Sequence, residues 1–439
     1  MEDAILRILA KLKEVRKRGL ESFGCESHKF VLEKPLRETE VLEFERQYGI
    51  QLPEDFRRFV LEAGSSGAGP YYGLLPIDRW GAEHCSDPTG AAKECPMYPG
   101  MPAPDPDATF DEAGTSLLQR GTIWIVTQGC AYETVLVVSG PYRGRLVNLN
   151  EEGGTPYFTR DNGFLAWYER WLDEMLAGWD TDWFGFGMPG DAGRMIEVLT
   201  ATTSTADERL DAVRTVLRMP SLMEPLASVV RDCLYNSEGK IRSMSADLAA
   251  KHRMFEATGR LRELCDDAEA NVRRKALRAL HRIGDADWPA HARRHLNGDD
   301  DDVAITSLSL LLKSELVTKE MLLPLIAGPG AKRRRMAIWA WGKSGWTVSD
   351  APWLEARIHD EDREVRRSVI LAASESDDRA FAPRLSEMAE REGGEFDLLV
   401  ANVGRNLRKW PLRRWAYRIT SAALRAFFST NVGTRTPSN

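Results

Sequence analysis

The spacing of apolar positions divides the chain into two differently built halves. Residues 3–18 place Ile5, Leu6, Leu9, Leu12 and Val15 at helical intervals, with Lys and Arg between them, which predicts an amphipathic helix. A second helix is predicted from near Arg37, capped by Thr39, with Leu42, Phe44 and Tyr48 on its apolar face and Gly49 at its end. Pro53 suits the first turn of a third helix that buries Phe56, Phe59, Val60 and Leu61 and closes at Gly64. The β-branched runs Thr122–Thr127 and Thr134–Ser139, the turn Gly140-Pro141 and a third run at Arg145–Leu149 predict an antiparallel meander. A strongly amphipathic helix, Phe164–Leu176, follows. The Pro/Gly/Ala/Asp-rich stretch between Gly81 and Gly121 is too long for a plain connector, so it reads as a functional loop or a mobile one.

The second half repeats every 31 residues. Ile241, Val272, Val303, Arg334 and Val365 are spaced by that period, each followed by Arg242, Arg273, Ala304, Arg335 or Arg366. Four residues on stand Ser245, Ala276, Ser307, Ile338 and Val369, and seven on stand Leu248, Ala279, Leu310, Trp341 and Ala372. Offsets of zero, four and seven trace one helix face. A preceding helix repeats through Leu261, Ala292, Leu323, Leu354 and Leu385, and a sixth copy is expected from Phe396. Acidic residues crowd the turn before the second helix: Asp266-Asp267, Asp299–Asp302 and Asp360-Glu361-Asp362. They can cap that helix and favour the positive end of its dipole. Paired helices at a short period predict an α-solenoid, in which each pair buries its apolar face only against its neighbours. The period, the Asp-rich turn and the Val-Arg pair resemble HEAT-like repeats. Gly178–Gly190 joins the halves, and Trp179, Trp183, Phe184 and Phe186 are expected to fasten them together.

Composition narrows the class. The 439 residues suggest two or three domains, and 43% apolar residues supply packed cores. No apolar run reaches membrane-span length, and no signal-peptide pattern opens the chain. Six scattered cysteines without a C-x-x-C pair fit reduced thiols, so a cytoplasmic protein is expected. The net charge of −7 is uneven. Residues 35–190 hold 24 acidic against 11 basic side chains, while residues 405–439 hold 8 basic and no acidic ones. An acidic module repels polyanions and attracts basic partners, so no nucleic-acid partner is expected.

Catalytic chemistry is hard to find. Gly67, Gly69 and Gly73 do not form G-x-G-x-x-G and follow a helix, and no Walker pattern exists. Gln128-Gly129-Cys130 with His84 upstream superficially matches a cysteine nucleophile, but a structural Cys beside a turn is the stronger reading. His84, Cys85 and Cys95 lack zinc spacing, and His291, His295 and Asp299 read better as a solvated repeat surface than as a metal site. No cofactor and no small-molecule substrate are expected, and the chain reads as a non-enzyme. Trp339, Trp341, Trp346 and Trp353 read as core packing before a base-stacking platform. In the tail, Arg405, Arg408, Lys409, Arg413, Arg414, Arg418 and Arg425 interleave with Trp410, Trp415, Tyr417, Phe427 and Phe428. Such a segment either caps the solenoid or lies on an anionic membrane surface.

The run LRETEVLEFERQYGIQLPEDFRRFVLEAGSSGAGPYYGLLPI (Leu36–Ile77) resembles the opening of the SUKH superfamily, the Smi-type domain. Gly129-Cys130, Leu136-Val137-Val138, Ser139-Gly140-Pro141 and Gly144 resemble its central strand pair, and Phe164–Leu176 its closing helix. The long 82–120 insertion and the extra N-terminal helix depart from it. The expected fold class is thus an α+β SUKH-like domain followed by an all-α HEAT-like solenoid. The expected order is an N-terminal helix (1–24), the SUKH-like domain (25–178), a connector (179–195), the solenoid (196–404) and a basic aromatic tail (405–439). The resemblance implies a bacterial immunity protein that binds and neutralises a cognate toxin, for example a nuclease. The acidic charge independently suits a basic toxin domain. Expected contacts are Tyr71, Tyr72, Trp80, Asp78, Glu83, Asp105 and Asp107. The alternatives are a regulatory scaffold, as the family's fungal relatives imply, and a HEAT-like DNA glycosylase, which the −4 charge of residues 191–404 opposes.

Overall fold

The computed structural model describes residues 3–81, 89–104, 117–150, 152–349, 351–381 and 383–384. Glu83, His84, Cys85, Asp105, Asp107, Leu385, the sixth repeat and the basic tail lie outside the described residues. The chain is mostly helical with one small antiparallel sheet, and it divides into two compact units at Val230/Arg231. No helix among the described residues is long and apolar enough to cross a membrane.

The first unit opens with α1 (Ala4–Lys17), capped by the Asp3 carboxylate on the Ile5 amide. Its buried face is Ile5, Ile8, Leu12 and Val15, and the expected Leu6 is exposed. Helices α2 (Glu38–Tyr48) and α3 (Glu54–Glu62) follow. The cap of α2 is Arg37, whose amide donates to the Glu40 carboxylate at 2.8 Å, so Thr39 is inside the helix. Val41 takes the buried place expected of Leu42.

The sheet runs β1 (Thr122–Gly129), β2 (Tyr132–Val137), β3 (Leu146–Asn150) and β4 (Tyr157–Phe158) in sequence order, all antiparallel. Both faces are covered. Ile123, Ile125, Leu136 and Leu146 join the core of α1 to α3 and of α4 (Phe164–Leu176). Val135, Val137, Val147 and Leu149 meet Cys95, Met97 and Leu118 on the other face. Part of the 82–120 stretch is thus a lid of the sheet, neither loose nor merely connecting. That double burial is why the strands read as near-continuous apolar runs.

The first unit also runs on past 178, through α5 (Ala192–Thr200) and α6 (Ala206–Arg218), so the expected 179–195 boundary is not where the chain divides. The buried Arg170 guanidinium binds both oxygens of Asp161, at 2.7 and 2.6 Å, and Glu174 at 2.9 Å. Arg218 of α6 binds the other side of Glu174 at 2.9 and 2.5 Å. Phe184 fits under both cations, 4.6 Å from Arg170 and 5.9 Å from Arg218. The aromatic connector therefore fastens α4 to α6 within one unit.

In the second unit α8 (Gly239–Lys251), α10 (Ala270–Ile283), α12 (Asp301–Lys313), α14 (Ala331–Lys343) and α16 (Arg363–Glu375) pack in series, each against the next. The shorter α9 (Thr258–Leu264), α11 (Trp288–His295), α13 (Lys319–Ala327) and α15 (Pro352–Glu355) alternate with them, and α7 (Leu226–Cys233) spans the division between the units. This is the stacked array that the period predicts. One residue type ties it together. The guanidinium of Arg242 donates to the carbonyls of Asn236 and Ser237, Arg273 to Asp267 and Ala268, Arg334 to Gly328 and Pro329, and Arg366 to Asp360 and Glu361. Each thus grips its own turn five and six residues back. Arg242, Arg273 and Arg334 reach into the next repeat as well, to Asp267 at 2.8 Å, Asp300 at 3.9 Å and Asp360 at 2.9 Å. Asp300 and Asp362 cap as expected, accepting from the Val303 and Val365 amides at 2.9 Å, whereas before α10 the N-cap is Glu269, whose amide donates to Asp267 at 2.9 Å.

The clamp exposes a slip in the period. Arg334, expected on the apolar face, is the clamp, and Arg335 is not. One helix earlier, Leu322 is buried and the expected Leu323 is 40% exposed. The α13–α14 repeat is displaced by one residue and the next one restores the register. Core positions tolerate the shift because Ala337 and Ala340 are as fully buried as their neighbours Ile338 and Trp341.

Two outcomes follow. Arg334→Ala removes the nearer of the two guanidiniums at the buried Asp360 carboxylate, leaving Arg357 at 3.4 Å, and lowers stability by about 3 kcal/mol in urea denaturation, whereas Arg194→Ala, in an exposed pair with Glu197, costs less than about 0.5 kcal/mol. Glu169 on α4 accepts from Arg7 and Lys11 of α1 at 2.7 and 2.8 Å, and those hydrogen bonds hold its carboxyl at about 2 against an ordinary 4.5. Because the folded value is depressed, the ionised group stabilises the fold at neutral pH, and that contribution fades as pH falls from about 4.5 through about 2. Melting curves of Glu169→Gln should therefore be less sensitive to acid across that window than those of the parent.

Candidate partner-binding surface

Residues 67–74 form a tight loop on the edge of the sheet. Gly67 and Leu74 exchange backbone hydrogen bonds at 3.0 and 2.7 Å, and Leu75 donates to the Ile125 carbonyl at 2.9 Å. Inside this loop Tyr71 adopts a left-handed backbone, φ 56°. That turn sends adjacent tyrosines to opposite sides. Tyr71 is buried and donates its hydroxyl to the Phe184 carbonyl at 2.6 Å, and burial pushes that phenol far above its usual range. Tyr72 is 37% exposed. Gly24 lets the N-terminal segment close over the loop, since a Cβ there would lie 2.6 Å from the Tyr71 carbonyl.

Around Tyr72 the fold gathers exposed aromatics. Phe23, 50% exposed, meets Tyr72 edge-on with centroids 5.4 Å apart. The Tyr72 ring lies over Gly129 at the end of β1, where any side chain would strike it. Gly129 pairs with Tyr132 across the hairpin, whose turn carries the exposed Cys130 at φ 51°. Tyr132 faces Trp183 at 6.4 Å, and Trp183, 49% exposed, faces Phe186 at 5.9 Å. Phe186 packs on Tyr157 at 4.9 Å. The result is an aromatic strip in two parts, the Phe23–Tyr72 pair and the Tyr132–Trp183–Phe186–Tyr157 run, linked by the Gly129–Tyr132 backbone pairing.

Carboxylates edge the strip. Asp180 and Asp182 immediately precede Trp183, and the Asp180 carboxylate accepts from the Asp182 amide at 3.0 Å. Burial, with Asp180 beside it, raises the Asp182 carboxyl above its ordinary range. Burial and the charge of Glu152 raise the Tyr132 phenol. Rigid aromatics among acids suit a protein partner that brings apolar and cationic side chains.

The expected contact residues scatter. Trp80 is a core residue, 1% exposed, donating to the Leu75 carbonyl at 2.7 Å and wedged between Phe44 and Phe56. Trp80 and Tyr71 are therefore corrected from interface anchors to core. Their large apolar surfaces are worth more buried against neighbouring rings than in water. Asp78 is exposed on the single turn before Trp80. Of the expected residues that the structure describes, Tyr72 alone falls on the strip. Phe23, Tyr132, Trp183 and Phe186 went unassigned to a surface because exposure of a lone aromatic leaves no periodic signal.

No other chemistry is assembled among the described residues. Among them no group of three or more His, Cys, Asp or Glu is placed to hold a metal ion, and His84, the expected partner of Cys130, lies outside them. His295 is half-buried, 3.8 Å from Asp266, and desolvation lowers its pKa.

No family model and no curated protein matches this chain. Solved structures similar to it include a HEAT-like repeats protein. The Escherichia coli protein YibA is 15% identical over 50% of this chain and 81% of its own, with a TM-score of 0.39. An archaeal HEAT-like repeats protein from Thermococcus onnurineus NA1 is 14% identical over 50% of this chain and 98% of its own, with a TM-score of 0.33. The complex of CpcE and CpcF of phycocyanin lyase from Nostoc sp. PCC7120 is 15% identical over 55% of this chain and 89% of that chain, with a TM-score of 0.26. Likeness this distant leaves function to be read from the chain's own residues.

Proposed function

We propose that this chain is a non-catalytic protein-binding molecule whose first unit docks a basic protein, and specifically that it is an immunity protein of the SUKH type that neutralises a cognate toxin. The single observation that carries the reading is the exposed aromatic strip edged by carboxylates. Tyr and Trp anchor interfaces because they bury large area at little entropic cost, and carboxylates around them steer a cationic partner into register. The excess of 13 negative charges over residues 35–190 extends that field beyond the strip. A nuclease that grips phosphate through Lys and Arg presents the complementary surface. The resemblance of Leu36–Ile77 to the opening of the SUKH superfamily points the same way.

A second reading, a regulatory scaffold, rests on the stacked helices of the second unit. Tyr235, Phe255 and Trp353 stand exposed there at 65%, 62% and 38%, which offers further contact points. The adjacent genes separate the two readings. A neighbouring gene for a large toxin with a basic C-terminal domain is expected on the first reading and not on the second.

With that domain in hand, calorimetry on the Tyr72→Ala/Trp183→Ala double variant should show affinity reduced about 30-fold or more, the loss of about 2 kcal/mol of anchor contacts. Binding should also weaken as salt is raised. Full neutralisation of the toxin by the double variant would remove the strip from the interface.

A further inference from the structure

Three tryptophans of the second unit, Trp341, Trp346 and Trp353, form a corner. Trp341 on α14 is buried, and its indole N–H donates to the Thr347 carbonyl at 3.0 Å, which fixes the ring. Trp346, in the loop after α14, meets it with centroids 5.2 Å apart and planes at 73°. Trp353, in the first turn of α15, braces it at 5.1 Å and 88°. Near-perpendicular rings provide no parallel platform for a base, so the base-stacking alternative is not what this cluster is built for.

Two of the rings enclose a cation instead. Lys319, in the first turn of α13, places its Nζ 5.4 Å from the centroid of Trp341 and 5.7 Å from that of Trp346. The Lys319 side chain is exposed, and its charge acts on the neighbouring Glu320 carboxylate. Trp346 is half-buried and Trp353 is 38% exposed, so the cluster is reached from solvent.

We propose that this two-walled corner binds a small quaternary ammonium solute of the choline type, and that Lys319 is its resident occupant. Ring faces within about 6 Å of a cation attract it through their quadrupoles. A primary ammonium carries three N–H donors that water satisfies better than a ring does. A trimethylammonium group has no donor to leave unpaired and presents methyl surface to both indoles, so it gives up less hydration and buries more apolar area. Lys319 can yield its place cheaply, because its displaced ammonium returns to water.

The test uses the full chain, titrated with choline in a calorimeter and followed by tryptophan fluorescence. The neutral isostere 3,3-dimethylbutan-1-ol is the control. Saturable choline binding is expected, tightened about three- to fivefold by Lys319→Ala, abolished by Trp346→Ala and absent for the alcohol. Lys319 is exposed, so its variant retains the fold, and the choline-against-alcohol comparison in it decides the matter even if Trp346→Ala unfolds. No saturable choline binding by Lys319→Ala, equal binding of the alcohol, or unchanged affinity in folded Trp346→Ala overturns the proposal. A trimethyl-lysine peptide binding at least about tenfold tighter than choline would overturn the assignment to a small solute.

Discussion

The hydrogen bond from the Tyr71 hydroxyl to the Phe184 carbonyl is the constraint on which the candidate surface depends. It joins a strained loop at the sheet edge to the segment that carries Trp183. The left-handed backbone at Tyr71 costs energy for a residue with a side chain, and it persists because the phenol is buried and satisfied. That one conformation turns Tyr72 outward while Tyr71 turns inward. At the other end of the bond, Phe184 is held by the Arg170 and Arg218 guanidiniums, and its neighbour Trp183 is left exposed. Two segments more than a hundred residues apart thereby contribute to one aromatic strip.

The second unit obeys a different constraint. A pair of short helices cannot cover its own apolar face, so each repeat needs the next. Small residues at the fully buried places, Ser245, Ala276, Ser307 and Ala337, fill the faces along which consecutive helices pack. The Arg clamp then solves the problem of the turn. A turn between helices leaves carbonyls without partners, and a guanidinium with five donors can satisfy two of them and still reach an Asp of the following repeat. The same residue closes its own turn and sets the spacing to the next. Where the repeat slips by one residue at α13–α14, the clamp slips with it, to Arg334.

The sheet of the first unit is an antiparallel meander enclosed like a parallel one. The stretch after Gly81 supplies Cys95 and Met97 to its second face, so Val135, Val137, Val147 and Leu149 need no solvent-facing alternatives. Burial there also governs thiol chemistry: it pushes the Cys95 thiol up to about 11, which leaves it inert at neutral pH.

Local signals in the sequence determined most of the elements. Apolar spacing placed α1, α3, α4 and the three main strands, and the 31-residue period placed the five long helices of the array, because periodicity is a property of neighbouring residues. The acidic turns were legible for the same reason. Tertiary structure decided the rest. Which of two adjacent tyrosines faces water depends on one φ angle. Whether Trp80 or Trp183 is exposed depends on what packs against it, since both are equally apolar in sequence. The first unit, which runs to Val230, is tied across by a buried Arg170–Glu174–Arg218 chain in which Glu174 and Arg218 are 44 residues apart, a distance over which sequence spacing carries no signal. The chain's own pattern of side chains therefore specified its helices and strands, and only long-range packing chose which aromatics became a surface.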